Sequence, residues 1–170
     1  MKKYLKAYAF LVPIAILLVA LDQVTKIWIR NNLAFNELWM PWDWLAPYAR
    51  LVNWHNTGAA FGIFQGNNGI FVVLAFVIII LIIVYFPMIP EDDFFFRLAL
   101  TLQVAGAAGN LIDRLYRGYV TDFISVGRFP VFNVADSCIT MGVVVLLVGM
   151  WLEERKSQNE PSSIDFSEPI

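Results

Sequence analysis

One histidine, one cysteine and a charged fraction of 15% are all that 170 residues offer to the commoner hydrolytic chemistries. With His55 alone, the two-histidine H-E-x-x-H zinc site is impossible. No Gly-x-Ser-x-Gly elbow occurs. Cys138 has no partner for an internal disulfide and lies deep in an apolar run, distant from His55. A small buried thiol is expected there rather than a nucleophile. The net charge of −2 leaves no broad basic face, which excludes nucleic acid as a partner. Neither a metal nor a cofactor is expected, and no internal repeat divides the chain.

Apolar residues are in excess: 59% of the chain is hydrophobic, and its mean hydropathy is +0.63. They gather in four runs, Tyr4–Leu21, Ile70–Phe86, Phe94–Ile112 and Val134–Leu152. At about 1.5 Å rise per residue, each comes near the ~30 Å of hydrocarbon in a bilayer. A soluble core helix is apolar on one face, not all round over such a length. The expected fold is therefore an all-α integral membrane domain of four transmembrane helices over residues 1–152. Outer segments are expected at about 30–68 and 113–133, and a polar, disordered cytoplasmic tail at 153–170.

Met1-Lys2-Lys3 and the run behind it resemble a secretory signal. Where a small-x-small cleavage site would follow, Asp22-Gln23-Val24-Thr25-Lys26 stands instead, so an uncleaved first span is expected. Lys2, Lys3 and Lys6 favour a cytoplasmic N-terminus, and an even span count places Arg155 and Lys156 there too. The acidic loop Glu91-Asp92-Asp93 and the outer Arg114, Arg117 and Arg128 pull against this orientation, unless the arginines serve a site.

The first outer segment holds Trp39, Trp42, Trp44 and Trp54, rings that settle at headgroup level, so contact with membrane lipid is expected. Pro41 and Pro47 argue against a single helix there, whereas Arg50–Asn56 has strand-like composition. The stretch Phe61-Gly62-Ile63-Phe64-Gln65-Gly66 suits a short mobile flap or a plain turn. Tyr116–Phe132, with Gly118, Gly127 and Pro130 among β-branched and aromatic residues, suggests a small hairpin-like loop.

The polar residues that interrupt the runs share one side. Asp22 and Lys26 close the first run, Asn56 precedes the second, and Asn110, Asp113 and Arg114 close the third. Asp122 lies in the next loop and Asp136 in the first turn of the fourth run. Because consecutive spans alternate direction, all of them meet at one face. An ionisable group near bilayer depth costs about 2.5–3.5 kcal/mol, so such groups mark function by default. Asp22 and Lys26, four apart, can pair on one helix side; a snorkelling pair that merely ends the span fits the same spacing. Gly106-Ala107-Ala108-Gly109 is a small-residue face for helix packing. Asn110 and Arg114 are also four apart, and Arg114 can pair with a carboxylate or hold a substrate carbonyl.

Asp122 and Asp136 are the sharpest pair. Two carboxylates sharing a site cannot easily both ionise, which leaves one base and one acid, the two functions peptide hydrolysis requires. Separate membrane-edge aspartates, capping the fourth span or pairing with Arg114 and Arg128, fit the residues equally well.

Taken in order, Asp22-Gln23-x-Thr25-Lys26, Asn56-Thr57-Gly58-Ala59-Ala60-Phe61-Gly62, Gly109-Asn110-x-x-Asp113-Arg114, Asp122-Phe123 and Phe132-Asn133-x-Ala135-Asp136 resemble the motifs of bacterial lipoprotein signal peptidase, also called signal peptidase II. The resemblance runs from about Leu5 to Trp151. It implies that Asp122 and Asp136 form a catalytic dyad, and that Asp22, Lys26, Asn56, Asn110, Arg114 and Asn133 support it or bind substrate. It further implies an intramembrane aspartyl endopeptidase that cuts diacylglyceryl-modified prolipoproteins just before the lipidated cysteine, at the outer face of the bacterial cytoplasmic membrane. A small extracytoplasmic β-cradle and a mobile helix around Phe61–Asn68 would hold and cover the substrate. A monomer is expected. Two rival classes remain: a proton-coupled transporter, which predicts charges on both sides or at mid-span, and a non-catalytic assembly factor, which would tolerate loss of either aspartate.

Overall fold

The computed structural model describes residues 2–58 and 66–159. Four long helices, α1 (Lys2–Asn32), α2 (Asn68–Tyr85), α3 (Phe94–Arg117) and α4 (Val134–Asn159), form a bundle. All four are long and apolar enough to cross a membrane. At one end sits an antiparallel sheet of β1 (Leu38–Trp39), β2 (Ala49–Asn56) and β3 (Val120–Val126), in that spatial order. The molecule is thus the expected multi-pass helical membrane protein with a small sheet.

Burial is unevenly shared among the helices. α3 packs against α1, α2 and α4 and carries most of the buried positions, whereas α2 buries none of its side chains. An 18-residue stretch within Asn68–Met88, which is α2 and the turn that follows it, has a mean hydropathy of 3.3, as suits a helix apolar all round and facing lipid. Small residues let α3 take the centre. A Cβ on Gly106 would collide with the Ala135 carbonyl oxygen and the Ile139 side chain of α4.

The ends of α3 are defined by local chemistry. Asp93 accepts the Phe96 N–H at 3.0 Å as N-cap, and Gly118, with φ +78°, closes the helix by donating to the Arg114 carbonyl at 3.1 Å. Glu91 pairs with Lys6 at 3.2 Å. Two of the acidic residues that pull against the expected orientation therefore have local partners.

Three boundaries differ from expectation. α1 does not stop at Leu21 but continues to Asn32, because the polar side chains along its last turns find partners inside the bundle. Lys26 consequently lies about 9 Å of helix rise below the end of α1. α3 runs past Ile112 to Arg117, so Asp113 and Arg114 lie within the helix, as the four-residue spacing of Asn110 and Arg114 requires. α4 continues through Glu153–Asn159, the first part of the expected tail; the rest of the tail lies outside the described residues. The expected flap at Phe61–Asn68 lies outside them as far as position 65, after which Gly66 (φ +85°) leads into α2.

The hairpin-like loop is present as a turn at Val126–Phe129 closed by an antiparallel bridge, but its first arm has a second and longer partner. β3 pairs mainly with β2 from the first outer segment, and within Tyr116–Phe132 the strand contact is the Ile124–Phe132 bridge. Between Leu51 and Trp54 the β2–β3 register shifts, with Val52 and Asn53 facing the single residue Phe123. Such a bulge re-aims the strand beyond it, and the strand beyond it carries Asn56.

Replacing Gly106 with Ala forces a methyl against a backbone carbonyl that cannot rotate away, so the α3–α4 contact must open. A loss of about 1–3 kcal/mol is expected, the usual range for overpacking, read as a lower thermal midpoint in detergent. Gly118→Ala, which has open space but a left-handed backbone, should cost only about 1 kcal/mol.

Candidate active site

The Phe132-Asn133-x-Ala135-Asp136 sequence builds the start of α4 as a reciprocal cap. Asn133 is the N-cap: its Oδ1 accepts the Asp136 N–H at 2.9 Å, while Asp136 Oδ2 accepts the Asn133 N–H at 3.2 Å. Asp22 on α1 adds a third acceptor, its Oδ1 taking the Ala135 N–H at 2.9 Å. Asp136 therefore sits where exposed N–H groups and the positive end of the helix dipole favour a carboxylate. The Ile124–Phe132 bridge draws the chain just before α4 alongside β3, and so alongside Asp122.

Asp122 belongs to β3 and faces Trp54 in the register. Asn56, two residues further along β2 on the same face, reaches diagonally to donate Nδ2 to Asp122 Oδ2 at 2.9 Å. His55 points to the opposite face of β2, stacked on Tyr119 at 3.8 Å and in tilted contact with Phe35 at 4.6 Å between ring centroids. Burial, with Arg117 and Arg30 nearby, holds its imidazole below the usual range.

Amides link the two aspartates. Asn133 donates Nδ2 to Asp122 Oδ1 at 2.7 Å and to Asn110 Oδ1 at 3.1 Å. Asn110 in turn donates Nδ2 to Asp136 Oδ1 at 2.8 Å. Each of the four carboxylate oxygens thus receives one N–H, and among the described residues neither aspartate forms an ion pair. Burial pushes the Asp122 carboxyl up to about 7, and the Asp136 charge adds to the rise; donors from Asn56 and Asn133 pull the other way. Two buried carboxylates this close oppose each other's ionisation, which is why the Asp136 charge raises the Asp122 carboxyl.

Beneath the pair lies a buried ion network. Lys26, with no exposed surface, contacts Asp22 Oδ2 at 2.9 Å and Asp113 Oδ2 at 3.4 Å. Asp113 also accepts the Thr121 N–H at 2.9 Å and meets Arg30 Nη1 at 3.4 Å, joining α1, α3 and β3. Gly109 is what admits Asp22: a Cβ there would lie 2.7 Å from Asp22 Oδ2.

A groove of about 460 Å³ opens beside the pair, and its lining includes Asn56, Gly58, Arg114 and Asp136 together with apolar Phe132 and Ile139. Asp122, 1% exposed, lies behind this lining. Arg114 donates to the Gly58 carbonyl at 3.2 Å and covers the Phe71 ring at 5.0 Å.

The structure brings together all eight residues singled out by the sequence: Asp22, Lys26, Asn56, Asn110, Arg114, Asp122, Asn133 and Asp136. Asp22 and Lys26 are not a snorkelling terminal pair but a buried one. Arg30 and Thr121 were not among the residues noted, and Asp113, noted as closing the third run and as part of a motif, was given no role. The i,i+4 spacing of Lys26 and Arg30, and of Asp22 and Lys26, was the available signal for a charged stripe along α1.

Asp113→Ala leaves Lys26 and Arg30 under-compensated and should cost about 3–5 kcal/mol, the usual effect of breaking a buried ionic cluster. Glu91→Ala, which removes an exposed pair, should barely move the thermal midpoint. Equal effects from the two would refute the structural role given to Asp113.

Comparison with known proteins agrees with this architecture. A solved bacterial membrane enzyme, determined by the in meso method at 2.3 Å resolution, superposes with TM-score 0.76 at 31% identity, covering 90% of this chain and 93% of that one. A second, at 1.9 Å resolution, gives TM-score 0.71 at 32% identity over 82% and 90%. Lipoprotein signal peptidase of Moorella thermoacetica is 38% identical over 87% of this chain and 97% of its own length. That of Streptococcus pyogenes serotype M1 is 41% identical over 82% and 91%. Residues 14–152 match the family described as signal peptidase (SPase) II, and the chain belongs to that family.

Proposed function

We propose that this peptidase acts on diacylglyceryl-modified prolipoproteins, cutting before the lipidated cysteine with Asp122 and Asp136 as an aspartyl dyad. The observation that carries the reading is the pair itself: two carboxylates, each oxygen supplied with a donor, without a counter-cation of their own, beside an open groove.

In this mechanism Asp136, on the groove wall, takes a proton from water as its oxygen bonds to the scissile carbonyl carbon. The carbon–nitrogen bond then breaks, and the dyad returns a proton to the departing amine. Asn56 and Arg114, which share the groove wall, hold the substrate backbone and the developing oxyanion. The apolar wall of Phe132 and Ile139 accepts the lipid-proximal part of the substrate. With the diacylglyceryl group held in the bilayer, its distance from the dyad sets the cut position.

Both termini are placed in the cytoplasm and the dyad at the outer face. Lys3 and Lys6 lie at the opposite end of α1 from the sheet, as positive charge on the cytoplasmic side requires. The transporter alternative finds less support. At the far end of the bundle, buried Arg97 lies against the Phe10 and Phe86 rings at 5.1 and 5.2 Å and donates to the Ala7 carbonyl; among the described residues it meets no carboxylate that could relay a proton.

Asp122→Asn and Asp136→Asn should each lower cleavage of a lipidated prolipoprotein by about 10²–10⁴-fold, the range of general acid–base catalysis. The unlipidated precursor should be cut poorly by every form. Asp136→Asn also weakens the α4 cap, at about 1 kcal/mol of stability, so rates are compared at matched folded fraction. Near-normal cleavage by both variants would overturn the assignment.

The pH profile follows from the Asp122 carboxyl. Its value is raised, so the group stays protonated well above the ~3.9 of an unfolded aspartate and ionises only near 7. Above that point the dyad has no proton to give, and kcat/KM should fall as pH rises through about 7. A rate that climbs steadily to alkaline pH would contradict a shared proton.

A further inference from the structure

Lys26 contacts neither Asp122 nor Asp136, yet its ammonium reaches Asn110 Oδ1 at 3.0 Å. An asparagine amide has an accepting end and a donating end of nearly the same shape, so sterics alone leave its direction open. An ammonium only donates. Its contact therefore fixes Asn110 with Oδ1 towards α1 and Nδ2 towards Asp136 Oδ1. The consequence spreads through the site. With its Oδ1 turned that way, Asn110 also accepts Asn133 Nδ2, which leaves Asn133 Oδ1 free to accept the Asp136 N–H. Every amide at the pair then presents a donor to a carboxylate.

We infer that Lys26 is a positioning residue for the dyad: through Asn110 it sets the direction of the hydrogen bonds around Asp122 and Asp136. The inference rests on the aspartyl reading above. Lys26 is itself held in one place. Its ammonium donates to Asn110 Oδ1 and lies at ion-pair distance from Asp22 Oδ2 and Asp113 Oδ2. Asp22 is tied in turn to the first turn of α4 through Ala135, so the anchor and the dyad move together. The charged groups that face this cluster are Asp22, Lys26 and Arg30 from α1, Asp113 and Arg114 from α3, Asp122 from β3 and Asp136 from α4. Lys26 is the cation that meets Asn110 directly.

Without the ammonium, Asn110 can turn and offer Oδ1 to Asp136, an arrangement that only a protonated Asp136 tolerates. The active, once-protonated dyad then requires a higher pH. Kinetics on a diacylglyceryl-modified prolipoprotein read this directly. Lys26→Met should lower kcat/KM by about 10- to 100-fold, the worth of one charge-assisted hydrogen bond. The acid limb of its pH profile should move up by about one unit. In an Asn110→Ala background the same substitution should matter by no more than about twofold, because the intermediary is gone. Lys26→Arg, still only a donor, should keep the wild-type limb despite a lower rate. If Lys26→Met does not fold, Lys26→Gln, which can present either end to Asn110, carries the test and should move the limb the same way. An acid limb left in place by Met or Gln, a limb moved as far by Arg, or losses that multiply in full with Asn110→Ala would each overturn the inference. They would leave the dyad intact, since that reading fails only if Asp122→Asn and Asp136→Asn still cleave.

Discussion

A polar group drawn into an apolar bundle has no water to return to, so it must be met by a partner within the chain. That constraint organises the sheet end of this molecule. Lys26 is fully buried, and three acceptors from two helices converge on it. Asp22 reaches across to α4, Asp113 to α1 and β3, and Asn110 to both α1 and α4. The four elements that bear the dyad and its supports are thereby tied by directional contacts, where apolar packing alone would leave their rotation and depth loosely specified.

Folding and chemistry draw on the same atoms. Asp136 is both the reciprocal cap of α4 and the groove-facing carboxylate, and Asn133 is both N-cap and bridge between the aspartates. The two readings that stood level in the sequence, a capping aspartate and a catalytic one, are compatible here. Backbone closeness supports the arrangement. Gly106 brings α3 against α4, and Gly109 leaves room for the Asp22 carboxylate that reaches α4. The small-residue face of α3 is thus a packing device whose effect is to set distances at the site. Opposing these ties is the placement of two carboxylates near each other in a buried setting, which raises the Asp122 carboxyl rather than pairing it with a cation. A buried carboxyl kept unpaired is a cost to the fold that a proton-transfer site requires.

Much of this was legible in the sequence, for identifiable reasons. The four spans follow from length and all-round hydrophobicity, and the single polar face follows from alternation of direction. The i,i+4 spacing of Asp22 and Lys26 signalled a pair. Spacing does not report burial, and so the continuation of the first helix past Leu21 to Asn32 was not foreseen. Asp113 was read as closing a span because its partners, Lys26, Arg30 and Thr121, are far away in sequence. The sheet was only half visible: strand-like composition marked Arg50–Asn56, but its pairing with Val120–Val126 and the bulge that aims Asn56 at Asp122 depend on contacts between distant segments. Arg97, a charge inside the Phe94–Ile112 run, was passed over, because nothing in its spacing reports the phenylalanines from other elements that meet it.

The proton proposed to be shared by Asp122 and Asp136 is where the readings of site, fold and chemistry meet, and it can be looked for without substrate. Infrared titration of the purified protein in detergent follows the carbonyl stretch of protonated carboxylic acids. A buried carboxylic acid should be present below neutrality and lose its proton as pH rises through about 7, and that transition should vanish in Asp122→Asn. A wild-type protein with no such transition between mildly acidic and mildly alkaline pH, or one that keeps it unchanged in Asp122→Asn, would contradict a dyad built around one retained proton.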